Sequence, residues 1–169
     1  MSEQYIKETN SLDFNSSFEL GLRALSILNE IYPRNIDLRR LLIYDYLIIH
    51  SSDIEGGPPS LHPSIPNRSN GILIRRKILQ EGLNLMYSKN LITIIYDNSG
   101  ISYKASKLTK PFLDLFKTTY LRKLKANARW VINNFESFND DDINKYIETH
   151  LVEWGEDYVY EFLNEEEVE

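Results

Sequence analysis

Residues Leu91–Ala105 read LITIIYDNSGISYKA. Leu91 to Tyr96 is rich in β-branched residues, Asp97-Asn98-Ser99-Gly100 is turn chemistry, and Ile101, Tyr103 and Ala105 alternate with Ser102 and Lys104. Two short strands around such a turn make a β-hairpin. Upstream, the apolar residues recur at helical spacing. Asn15 or Ser16 can cap a helix carrying Phe18, Leu22, Leu25, Leu28 and Ile31 up to Pro33. Asp37 opens a second, with Leu38, Leu41, Leu42, Tyr44, Leu47 and Ile48 apolar on more than one side and so central to the core. Ser69 or Asn70 can cap a third, whose Ile72, Leu73, Ile78, Leu79, Leu83 and Met86 face inward. Downstream, Thr109 is read as the cap of one long helix through Asn134, with Pro111 in its first turn. Three helices, a hairpin and a helix are the order of a winged helix.

The chain is therefore read as mainly α with a small β-hairpin: a winged-helix-like domain with an acidic helical extension at its C-terminus. Residues 1–14 read as a flexible tail, 15–138 as the domain and 139–169 as the extension. The last begins at Asn139 with Asp140-Asp141-Asp142, favourable beside a helix N-terminus, and its Trp154, Tyr158 and Phe162 recur at helical spacing.

Between the second and third helices lies SSDIEGGPPSLHPSIPNRS, residues 51–69. Four prolines forbid a continuing helix and Gly56-Gly57 marks a turn. A structureless connection of this length in a compact domain either binds something or folds over a neighbour. Leu61 and Ile65 suit packing on the core, and His62 suits a hydrogen bond from loop to body. His50, Asp53 and His62 lack any recognised metal-ligand spacing.

At 169 residues, 42% hydrophobic and 12% aromatic, the chain can bury a core of its own. The polar N-terminus is unlike a signal peptide and no run approaches the roughly 18 apolar residues of a membrane span. A cytoplasmic protein without membrane contact is expected. The absence of cysteine excludes thiol catalysis, disulfides and cysteine-ligated zinc. No lysine follows Gly56-Gly57 as a phosphate-binding loop requires, no serine sits in a nucleophile elbow, and no cofactor is expected. These absences point away from an enzyme.

The net charge of −6 divides unevenly: residues 1–67 carry −4, residues 68–138 carry +9 and residues 139–169 carry −11. Such segregation suggests that the middle block meets a polyanion or an acidic protein face. Arg75, Arg76 and Lys77 lie early on the helix that a winged helix uses for recognition, Lys104 and Lys107 flank the wing, and Arg68 precedes the helix. Gln80 and Asn84 are that helix's only amide base readers, which favours phosphate contact within an assembly over sequence-specific reading. Trp154, Tyr158 and Phe162 beside carboxylates, with Leu61 and His62 in the loop, are the candidates for protein contact.

The segment from Asp37 to Leu91 resembles the small middle component of bacterial three-component ABC-ATPase conflict systems, the group that includes the Lamassu anti-phage systems. The resemblance rests on the leucine-rich helix ending in Asp45-Tyr46-Leu47, on GGPPSLHP at 56–63, on Pro66 and Arg68-Ser69, and on Ile74-Arg75-Arg76 followed by Gly82-Leu83. It implies a non-enzymatic adaptor that joins an SMC or Rad50-like ATPase to an effector, often a nuclease, in phage or plasmid defence, with DNA contact made through the complex. A stand-alone winged-helix regulator is the alternative from the residues alone.

Overall fold

The computed structural model describes residues 16–62 and 71–154, without the side chains of 71–74 and 151–154. Along the chain the elements are α1 (Ser17–Ile31), β1 (Asn35–Asp37), α2 (Leu38–Ile49), α3 (Gly71–Ser88), β2 (Ile92–Asp97), β3 (Gly100–Ala105), α4 (Thr109–Asp114), α5 (Thr119–Phe135) and α6 (Asp140–Trp154). The molecule is mostly helical with a small antiparallel sheet, in the order β1-β3-β2.

Helix starts follow the side chains that can satisfy free N–H groups. Ser16 Oγ accepts from Glu19 N at 3.2 Å, Asp37 Oδ1 from Arg40 N at 2.7 Å and Thr118 Oγ1 from Leu121 N at 3.2 Å. At α6, Asn139 Oδ1 accepts from Asp142 N while Asp142 Oδ2 accepts from Asn139 N, a reciprocal capping box. Helix α3 ends on Asn90 in the left-handed region (φ 59°), with Asn90 N donating to Tyr87 O and Leu91 N to Met86 O. That pair of bonds is the Schellman arrangement, and it turns the chain straight into β2.

Strand β1 is not among the elements expected from the sequence. Its three residues pair with β3 through Asn35↔Lys104, Ile36↔Tyr103 and Asp37↔Ser102. A strand so short, only half-buried at Ile36, carries no readable alternation. The single long helix expected from Thr109 is two. Thr109 does not cap, because its Oγ1 donates to Leu91 O at 2.5 Å and accepts from Ser106 N, pinning the end of the hairpin, and Thr118 caps afresh after the break.

Helices α1 and α2 are buried along almost their whole length, and α3 and α5 close over them with Leu79, Leu83 and Met86 and with Leu121, Leu124, Ala128, Val131 and Ile132. Helices α1 and α3 cross at backbone contact. A Cβ on Gly82 would lie 2.4 Å from Ser17 O and 2.8 Å from Gly21 N, so only glycine fits there. The first half of the acidic helix belongs to this core: Ile143 and Ile147 are buried in it, and Tyr146 packs edge-on against Phe135. Arg40, also buried, binds α2 to the α5–α6 turn by donating to Phe135 O, Phe138 O and Asn139 O.

Candidate functional site

The proline-glycine segment is held to the body from its first residue to His62. After α2 a single 3-10 turn, Ser51–Asp53, bends the chain, and Gly56 (φ +73°) reverses it. Gly57 then comes so close to the turn that an added Cβ would lie 1.9 Å from Ser51 O and 2.9 Å from Ile54 O. Both glycines of the motif are therefore required by geometry, one for its dihedral angle and one for its lack of a side chain. The chain returns to the helix it left: Leu61 N and His62 N both donate to Ile49 O, at 3.1 and 3.2 Å.

Asn127 of α5 fastens the underside. Its Nδ2, buried, reaches Ser51 Oγ at 3.0 Å, Pro59 O at 3.1 Å and Ile48 O at 3.4 Å. Ser51 Oγ donates to Pro59 O and Ser52 N to Ser60 Oγ, so the start of the loop is also joined to Pro59 and Ser60. Leu61 packs on the core. The described part of the loop is thus tied down on both sides of Pro58-Pro59, as a packed surface loop requires.

Beneath the loop lies a buried ionic network. Arg23 of α1 and Asp45 of α2 are 0% and 1% exposed, and they are joined in parallel, Nε to Oδ1 at 2.5 Å and Nη2 to Oδ2 at 3.1 Å. Arg23 Nη1 also reaches Glu19 Oε1 at 3.3 Å. The same Glu19 oxygen accepts from Tyr120 OH at 3.1 Å, and Tyr120 OH lies 3.1 Å from His62 Nε2. With Tyr120 donating to Glu19, the proton of the His62–Tyr120 bond sits on Nε2. A continuous polar path therefore runs from loop to α5 to α1 to α2.

The environment tunes each member. Burial works to raise the Asp45 carboxyl, but the Arg23 charge and its hydrogen bonds outweigh it and, with help from Arg75, hold it below the usual range. Burial raises Glu19, with Arg23 and Tyr120 opposing. His62 is lowered to about 4, first by burial and then by the Arg23 guanidinium, so it is neutral at pH 7. Burial pushes the Tyr120 phenol up to about 12. The network holds two carboxylates against two guanidinium groups and contains no activated nucleophile. Its chemistry is positional: it fixes the loop.

The other expected contact residues separate into distinct environments. Lys77 and Lys107 are exposed, while Arg75, Arg76 and Lys104 are half-buried. Arg75 turns towards the network: its charge acts on Asp45 and His62, and its Nη1 is buried without a hydrogen-bond partner among the described residues. Arg76 lies by Tyr103 of β3, whose phenol it influences. Leu61 and His62 are loop anchors, although both were also read as candidates for partner contact. Arg68, Tyr158, Phe162 and the Trp154 side chain lie outside the described residues, as do the tail 1–14 and the end of the loop. The acidic helix meets α2: Asp140 Oδ1 is 3.4 Å from Arg40 Nη1, and Asn144 Oδ1 is 2.9 Å from Arg39 Nη2. In the basic block, Arg129 pairs with Glu30 and Lys125 with Asp114. Among the described residues no group of His, Asp and Glu is arranged to hold a metal ion.

The Arg23–Asp45 pair went unread in the sequence. The signal was present, one arginine in LGLRALSIL and one aspartate in LIYDYLII, each the sole charge in an otherwise apolar run. Two such charges on neighbouring buried helices have to meet.

A family model described as ABC-three component (ABC-3C) system Middle Component 2 matches residues 13–157. No curated protein and no solved structure matches the chain.

Proposed function

The chain belongs to the Middle Component 2 family of ABC three-component systems, and on that premise we propose that it is a non-catalytic adaptor, joining an SMC or Rad50-like ATPase to an effector in defence against phage or plasmids, as in Lamassu-type systems. The observation that carries the reading is the family match across residues 13–157. The site supports it, because its buried groups are spent on fixing a loop that leaves Ser52, Glu55, Gly56 and Pro59 exposed. A stretch held in place from Ser51 to His62 suits recognition by a protein, since little conformational entropy is lost when it binds.

The body that presents the loop is read as winged-helix-like. Support comes from the order helix, strand, helix, helix, strand, strand with the first strand beside the last. In this reading the adaptor works in the cytoplasm, where the ATPase and the invading DNA are. Among the described residues no helix is long and apolar enough to cross a membrane. The effector is a nuclease in the simplest version of this reading, and DNA is contacted by the complex as a whole.

Co-expression with the products of neighbouring genes tests the proposal. The chain should co-elute with the ATPase component, and the purified chain should not hydrolyse ATP. Failure to co-elute under any nucleotide condition, or hydrolysis by the pure protein, refutes it. A stand-alone DNA-binding regulator is the second reading, favoured by Lys77, Gln80 and Asn84 being exposed at helical spacing on α3. Tight, sequence-dependent mobility shifts by the isolated chain would select it.

A further inference from the structure

The two edges of the sheet are protected very differently. Edge strand β1 is three residues long, follows Pro33-Arg34, ends on Asp37 and leads at once into a helix. Short length, proline and charge are the usual means of blocking an edge. The opposite edge, β2, has six residues, ITIIYD, with no proline, no lysine and no charge before Asp97. Its pairing with β3 is regular, from Ile92↔Ala105 to Asp97↔Gly100, with no bulge.

The register shows which groups are open. Asp97↔Gly100 closes a two-residue turn, so this pair exchanges hydrogen bonds, as do the alternate pairs Ile95↔Ser102 and Thr93↔Lys104. The N–H and C=O groups of Ile92, Ile94 and Tyr96 therefore point away from β3. No strand lies on that side among the described residues. Tyr96 is 73% exposed, and its direct cross-strand neighbour Ile101 is 52% exposed, which leaves an apolar pair at the tip of the hairpin.

We propose that β2 pairs antiparallel with β2 of a second copy of this chain, joining two sheets across a two-fold axis through Ile94. In that register Ile94 faces Ile94 and Ile92 faces Tyr96, each pair exchanging both bonds, so every outward group of the strand is satisfied. On the opposite face Thr93 meets Ile95. No like charges come into opposition, and the one carboxylate, Asp97, falls beyond Ile92 of the other copy, in the direction of Lys89. The strand is thus complementary to itself in backbone pattern, side-chain character and charge, as an isologous contact demands.

The inference goes beyond the adaptor reading and is tested on the full-length chain alone, so its failure and that of the adaptor assignment are separable. Sedimentation velocity over a micromolar concentration series should show a monomer–dimer equilibrium. Ile94→Pro removes an outward N–H without touching a bond to β3, and Tyr96→Lys places a charge on an exposed edge position. Each should raise the dimer dissociation constant at least about tenfold, with the circular-dichroism spectrum unchanged. Tyr96→Lys remains decisive if the proline variant fails to fold. A wild-type chain that stays monomeric across the series, including one whose β2 edge instead takes a strand of another component, overturns the proposal. So does dimerisation that Tyr96→Lys leaves intact.

Discussion

Replacing Asp45 by alanine removes one half of an ion pair that solvent does not reach. Arg23 is 0% exposed and Asp45 1%, so the guanidinium left behind keeps its desolvation penalty and loses both parallel hydrogen bonds. Breaking a buried pair in this way costs about 3–5 kcal/mol. Glu19, 3.3 Å away, compensates in part, which places the expected loss near the lower end, about 3 kcal/mol. Against a total stability of about 5–15 kcal/mol that is a large share, and it should lower the Tm by on the order of 10 °C. Urea titrations of Asp45→Ala, Arg23→Met and the double variant Arg23→Met with Asp45→Leu form the test. The double variant should recover most of the loss, because an apolar pair of similar volume has no charge to desolvate. If Asp45→Ala costs less than about 1 kcal/mol, or the double variant is no better than the single ones, the pair does not hold the fold as argued.

His62 gives a pH signature. Its folded pKa of about 4 lies below the ordinary 6.5, so the unfolded chain takes up the proton first, and stability is lost as pH falls from about 6.5 to about 4, with no further loss below. Partial solvent access reduces the effect to about 1–2 kcal/mol, and the difference between the wild-type and His62→Asn stability curves isolates it. Gly57→Ala cannot keep the loop, because its Cβ would overlap Ser51 O, and limited proteolysis should cut between Ser51 and His62 in the variant alone. Gly82→Ala should cost at least about 2 kcal/mol in a denaturant titration by forcing α1 and α3 apart. Arg75→Glu and Arg76→Glu should differ: the first, placing a carboxylate towards Asp45, lowers stability by about 1–2 kcal/mol, whereas the second leaves Tm near wild type and abolishes phage protection in a plaque assay. Unchanged protection by Arg76→Glu would remove that residue from the proposed interface.

Much of the fold could be read because its signals are local. The caps at Ser16 and Asp37, the turn at Asp97–Gly100 and the apolar spacing of α1 to α3 each involve residues within a few positions of one another. What escaped was set by distant neighbours. Strand β1 exists because β3, some 67 positions later, offers it an edge, as the Asn35 to Ser102 side-chain bond shows. Thr109 looks like a cap until Leu91 O is placed beside it. At the site, His62 was legible as a loop anchor. Its receiver, Tyr120, was not, because nothing in an amphipathic helix marks which tyrosine will face a loop 58 positions away. The helix at the start of the acidic extension, Asp140–Trp154, was legible from its cap and apolar spacing, but that Ile143 and Ile147 seat it in the core was not, because this depends on distant partners.

Helix α2 grips something at each end. Its last carbonyl region receives Leu61 N and His62 N from the loop, and its first turn carries Arg39 and Arg40, which hold the start of α6. Twelve residues of helix make a strut about 18 Å long. Loop and acidic helix are thus mounted on opposite ends of one stiff member whose middle is clamped by Asp45 to α1. A molecule that levers the loop cannot do so privately: the displacement is carried along the strut, and either the clamp at Asp45 acts as its pivot or the Arg40 fastening gives way.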